Sequence, residues 1–136
     1  ADPNTFDDYE RGDWTPVFEL TSGSLTYSHQ VGEYQKKGDY VSCSCWMRTT
    51  GRTLPVNIAL LMAGLPFPKN AVESRGGAVM YVNASTVTGQ VHCYPVVNVS
   101  TLAMKAVNDG VSADISAADF FSADVAVFQL LISYFT

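Results

Sequence analysis

Tyr40-Val41-Ser42-Cys43-Ser44-Cys45-Trp46-Met47-Arg48 is the stretch that decides the fold. Val41, Cys43, Cys45 and Met47 alternate with Tyr40, Ser42, Ser44, Trp46 and Arg48. A period of two belongs to a β-strand, in which successive side chains point to opposite faces. The first set is expected in the core and the second on a polar, aromatic outer face. Cys43 and Cys45 share a face at this spacing and are poorly placed to bond each other. With Cys93 they make an odd count of three. They are read as small core residues with reduced thiols, which suits a protein assembled in a cytoplasm.

Outward from this strand, short β-type runs alternate with Gly, Pro, Asn and Asp, the pattern of a sandwich or barrel. The expected strands are Thr15–Leu20, Ser24–Ser28, Val31–Lys37, Tyr40–Thr49, Val56–Met62, Ala78–Val82, Thr86–Tyr94, Val96–Met104 and Ser122–Phe135. The last is apolar on both sides: Val125, Val127 and Leu131 on one, Ala126, Phe128, Leu130 and Ile132 on the other. Such a strand needs a second layer, and another subunit can supply it. Ser116-Ala117-Ala118-Asp119 has capping-box-like spacing, with Asp in place of Glu or Gln, and predicts one helical turn. Residues 1–12 are acidic and turn-rich and are expected to be an extended lead-in from an upstream region, with the β domain over 13–136. Arg11-Gly12-Asp13 reads as a turn feeding the Trp14 strand. Ala1-Asp2-Pro3 is polar, and no signal peptide is expected there.

The chain has 136 residues, 47% of them apolar and only 15% charged, against roughly 25% charged in an average soluble protein. So few charges leave much neutral surface for copies of the chain to cover. The net charge of −5 speaks against a nucleic-acid partner, which needs clustered Lys and Arg. The one basic cluster, Lys36-Lys37, reads as a solvated turn. No apolar run reaches the roughly 18 residues that cross a bilayer as a helix, so no membrane insertion is expected.

Residues for catalysis are sparse. His29 and His92 are the two histidines, and there is no Gly-x-Ser-x-Gly elbow. His92 and Cys93 are adjacent, so a strand points them apart. Cys43-x-Cys45 with His92-Cys93 lacks the spacing of common zinc sites. Glycosidase chemistry needs two carboxylates facing a cleft, whereas Asp7, Asp8, Glu10, Asp13, Asp39, Asp109 and Asp114 fall in turns and the lead-in. Asp124, at the start of the final strand, suits a turn cap, a trimer axis or a guard against edge pairing. Arg75-Gly76-Gly77 lacks the Lys-Ser/Thr of a phosphate loop and reads as a connecting turn. No catalytic residue, metal or cofactor is therefore expected. For ligand binding, Trp46 with Tyr40 and Arg48 on one strand face is the best candidate, because sugar sites stack an aromatic ring and add a few polar groups. Tyr27, Tyr34, Tyr81 and Tyr94 are possible neighbours. The bland alternative packs Trp46 under a loop or in a subunit interface.

Four fragments carry a resemblance. Asn4-Thr5-Phe6-Asp7-Asp8-Tyr9-Glu10-Arg11-Gly12-Asp13-Trp14-Thr15-Pro16 resembles the L-D-D-Y-E-E-G-T-W-T-P opening of many bacteriophage tail-fibre and tailspike C-terminal domains. Leu25-Thr26-Tyr27-Ser28, Gly32, Tyr34, Lys36, Gly38 and Val41 are similar to that family's Y-x-x-Q-x-G-x-Y-x-K-x-G-x-x-V segment. Ala63-Gly64-Leu65-Pro66-Phe67 resembles its S-G-L-P-F turn, and Asp119 followed by an apolar strand ending in Ser133-Tyr134 resembles its finish. The cysteines and Arg11-Gly12-Asp13 depart from the pattern. The resemblance implies a jelly-roll-like antiparallel β-sandwich, assembled as a homotrimer at the tip of a virion's attachment fibre. It further implies a non-enzymatic domain that binds a bacterial surface glycan (lipopolysaccharide or capsule) or a surface protein. The alternative it implies is a trimerisation cap for a tailspike whose activity lies upstream.

Overall fold

A computed structural model describes residues 8–55, 60–69, 76–83, 85–96 and 99–136. One five-stranded antiparallel sheet, sheet A, runs β1 (Tyr9–Trp14), β3 (Ser24–Lys37), β4 (Tyr40–Thr53), β10 (Val127–Phe135), β6 (Gly76–Val82) in spatial order. The second, sheet B, runs β2 (Val17–Glu19), β5 (Leu61–Ala63), β8 (Thr101–Asn108), β7 (Gln90–Pro95), with β9 (Val111–Asp114) also paired to β8. A single helical turn, α1 (Ala117–Phe120), precedes β10. The fold is an antiparallel β-sandwich, as the succession of short β runs and turn residues implied.

The period-two pattern sorts the core. Val41, Cys43, Cys45 and Met47 of β4 are buried, as are Phe128, Leu130, Ile132 and Tyr134 of β10. Phe18 of β2, Met62 of β5 and Leu102 and Met104 of β8 belong to the same buried cluster. Phe18 sits edge-on to Phe121 (4.7 Å) and Phe128 (5.2 Å). The inner face of β10 is thus covered by the chain's own second sheet and helical turn. Its outer face, with Gln129 and Leu131, is open.

Several strand limits differ from expectation for identifiable reasons. Ser24–Ser28 and Val31–Lys37 are one strand, β3, whose register slips on either side of Tyr27; such an irregularity lets a long strand bend without ending. Arg11-Gly12-Asp13 is paired strand, opposite Gln35, Tyr34 and Glu33, so residues 9–12 of the expected lead-in lie in sheet A. Residues 1–7 fall outside the described residues. Gly76 and Gly77 are strand residues of β6, and Arg75 falls outside the described residues, as do 56–59 of the expected Val56–Met62 strand. The exposed β9 was not expected, because Val111-Ser112-Ala113-Asp114 is only four residues long and carries a single large apolar side chain.

Ser122–Ala126 were expected in the last strand but are irregular. Their backbone groups are met by side chains from β4. Thr49 Oγ1 donates to the Asp124 carbonyl (2.8 Å) and accepts from the Ala126 N–H (2.9 Å). Arg52 donates to the carbonyls of Ala118 (3.3 Å) and Ser122 (2.9 Å) and faces the Asp124 carboxylate at 3.8 Å. The helical turn forms where expected, but Ser116 makes no side-chain cap bond. In the Gly-Leu-Pro-Phe turn, Leu65 is buried and Phe67 is half-buried against Tyr34 (5.3 Å). The Lys36 ammonium lies 5.4 Å from the centre of the Phe67 ring, so Lys36 is more than a solvated turn residue.

Burial pushes the thiols of Cys43, Cys45 and Cys93 up to about 12, and burial likewise raises the Tyr134 phenol. A thiol whose folded value lies above its unfolded value of 9.0 keeps its proton while the unfolded chain loses it. The unfolded state then binds fewer protons, and stability falls as pH rises from 9 towards 12. The melting temperature is expected to hold up to pH 9 and then decline, less steeply in a Cys43→Ala, Cys93→Ala double variant. Calorimetry across that range, repeated on the double variant, checks this; identical slopes would assign the decline to other groups.

Candidate functional site

Sheet A presents its outer face as rows of side chains fixed by strand register. Chained through neighbouring pairs, one row reads Asp13, Glu33, Ser44, Leu131, Val79 across all five strands. The next towards the β4 C-terminus reads Val31, Trp46, Gln129, Tyr81. The row beyond that holds His29, Arg48 and Val127. On the other side lies Arg11, Gln35, Ser42, Ser133, Gly77, followed by Tyr9, Lys37, Tyr40, Phe135. Same-face rows lie two residues apart, or about 6.6 Å.

Small residues in the middle of β4 and larger ones around them hollow the face. One open groove of about 470 Å³ has Trp46, Tyr81, Val31, Val79 and Leu131 among its walls, with Ser44 and Gln129 beside them. A second trough of about 260 Å³ is lined by Arg11, Asp13, Glu33, Gln35, Ser42 and Ser44. Glu33, Ser44 and Leu131 line both, so the two are continuous. Val79 is 72% exposed, Tyr81 56%, and Val31 and Leu131 53% each. The Trp46 indole is half-buried and lies against the His29 ring, with centroids 4.6 Å apart.

Of the residues singled out from sequence, Trp46 and Arg48 occupy adjoining rows, and Tyr81 shares the row of Trp46. Tyr40 does not join them: six residues along β4 put it about 20 Å away, and its ring packs on Phe135 at 5.4 Å. Tyr34 faces the inner side and donates to Glu10 Oε1 (2.5 Å), a bond that raises its pKa. Tyr27 is half-buried, and its hydroxyl accepts from the Phe18 N–H (3.3 Å). Tyr94 is on β7 of sheet B. Val31, Val79 and Gln129 were missed. Alternation shows that Val79 and Tyr81 share a face, but only the β10–β6 pairing brings them to Trp46. Among the described residues no group of three or more His, Cys, Asp or Glu is arranged to hold a metal ion, and no helix is long and apolar enough to cross a membrane.

No protein-family model matches the chain. A Klebsiella phage K64-1 protein, a depolymerase specific for capsule KN4, is 25% identical over 130 residues, covering 93% of this chain and 17% of its own length. The crystal structure of the Dettilon tailspike protein superposes with a TM-score of 0.69 at 20% identity, over 91% of this chain and 23% of that one. The chain therefore spans less than a quarter of either protein.

The depolymerase overturns the expectation of a non-enzymatic protein, since a relative along almost the whole chain carries an enzyme's name. The reason for the error is that the residues of one domain do not report on the whole protein, and the matched region is 17% of the depolymerase's length. Position along the sequence also hid one pair of acids, since β1 and β3 set Asp13 directly opposite Glu33 at the trough. Residues opposed in this way stand about 5 Å apart at Cβ and leave no sequence signature. In sequence and in fold, the chain resembles a domain of bacteriophage tailspike proteins.

Proposed function

We propose that the chain is a domain of a phage tailspike that holds a bacterial surface saccharide, capsule or lipopolysaccharide, on the outer face of sheet A. It serves a protein whose activity is capsule depolymerisation, works as a homotrimer and belongs to the virion tail. Residues preceding Tyr9 connect it to an upstream region.

The supporting observation is the groove around Trp46, with a half-buried indole, apolar walls and polar groups from Ser44 and Gln129. Its volume lies in the range of ordinary ligand sites. An aromatic ring fixed in this way meets the C–H face of a pyranose, while nearby amides and hydroxyls meet its oxygens. Arg48, one row further on, adds a charged donor at the rim.

Binding to intact encapsulated bacteria, competed with extracted surface glycan, tests this. Trp46→Ala is expected to weaken binding at least about tenfold, which corresponds to about 1.4 kcal/mol, with melting temperature unchanged. Unaltered binding would remove the site. A second reading covers the same face with sister chains, and the exposure of Leu131 and Val79 favours it. In that case Leu131→Asp dissociates the assembly in sedimentation, whereas in the saccharide reading the variant keeps the wild-type oligomer.

A further inference from the structure

The groove around Trp46 continues into the polar trough, and the change in lining along that path has a chemical consequence. At one end the walls are apolar: Val31, Val79 and Leu131. At the other, Asp13 and Glu33 stand with one cation, Arg11, and with Gln35 and Ser42 further along the Arg11 row. Trp46 and Ser42 are four residues apart on β4, about 13 Å, so a single sugar ring on Trp46 does not reach the trough.

We propose, building on the saccharide reading above, that the trough is a second subsite for the same chain-like ligand and that it selects neutral sugars over uronates. Charge decides the selection. Two carboxylates outnumber the guanidinium in the trough, and the chain as a whole carries −5. An ionised carboxylate is an acceptor only, with two oxygens that match a pair of adjacent hydroxyls donating together. A uronate brings its own acceptors and its own negative charge to the same wall, and like charges close together oppose binding. Glu33 lines both hollows and is therefore the residue through which the subsites discriminate. Its side chain is exposed on the sheet, so Glu33→Gln removes charge without disturbing the core.

The test is an array of bacterial oligosaccharides of several rings, with matched neutral and uronate-bearing members, probed with the full-length protein, Glu33→Gln and Trp46→Ala. Wild type is expected to favour the neutral members at least tenfold. Glu33→Gln is expected to narrow that preference by raising uronate binding, and Trp46→Ala to weaken both classes alike. Equal or stronger uronate binding by wild type overturns the selection, as does a preference that Glu33→Gln leaves intact, while sensitivity to Trp46→Ala keeps the parent reading standing. A blank array with wild type removes the saccharide reading, and this inference with it.

Discussion

Phe128→Ala is expected to destabilise the domain by about 3–5 kcal/mol, because truncating a buried aromatic removes transfer energy and leaves a cavity. Phe128 is 1% exposed and meets Phe18 at 5.2 Å and Phe120 at 5.8 Å. Those two rings belong to sheet B and the helical turn, so the lost side chain is the one joining both layers. At this chain length the melting temperature should fall by about 10–15 °C, read by calorimetry. Gln129, the next residue, points outward, and Gln129→Ala should stay within about 0.5 kcal/mol. Similar losses for the two would mean that Phe128 is not a core residue.

The second large effect concerns Gly32. A Cβ placed there would lie 2.6 Å from Trp14 Nε1 and 2.7 Å from the Trp14 carbonyl oxygen. The same indole N–H donates to the carbonyls of Glu33 (3.2 Å) and Ser44 (3.1 Å), tying β1 onto β3 and β4. Gly32→Ala therefore forces the ring out of a filled position and breaks those bonds, at an expected cost of about 2–4 kcal/mol. In a Trp14→Ala background the same change should cost less, with a coupling of about 1–2 kcal/mol. Part of the penalty remains, since the backbone oxygen stays. Equal costs in both backgrounds, measured by urea denaturation, would place the strain elsewhere. Loosened β1 also carries Arg11 and Asp13 out of the trough, so the Gly32→Ala protein is expected to lose discrimination between sugars before it loses affinity at Trp46.

These sites also divide what was legible along the chain. The β4 alternation reads directly because a half-buried strand repeats every two residues, and Trp46 was correctly set facing outward. Grouping Tyr40 with it counted face but not distance, since alternation holds over any length of strand. The two-sided apolar character of the final strand predicted a covering layer on both faces, and the structure supplies one on the inner face alone. That character did not say that the chain's own sheet B covers the inner face and leaves Leu131 open. Ser122–Ala126 read as strand because apolar composition does not reveal that the Thr49 hydroxyl and Arg52, from β4, supply their hydrogen bonds.

By itself the sequence determined the β class, the core face of β4, the outward direction of Trp46 and the likeness to phage tail proteins. Those properties are local, carried by side-chain period and turn residues within a few positions. Tertiary structure alone decided which strands are neighbours, and with that the meeting of Val79 and Tyr81 with Trp46 and of Asp13 with Glu33. Pairing register joins residues tens of positions apart, and a shift of one residue would turn every such side chain to the opposite face.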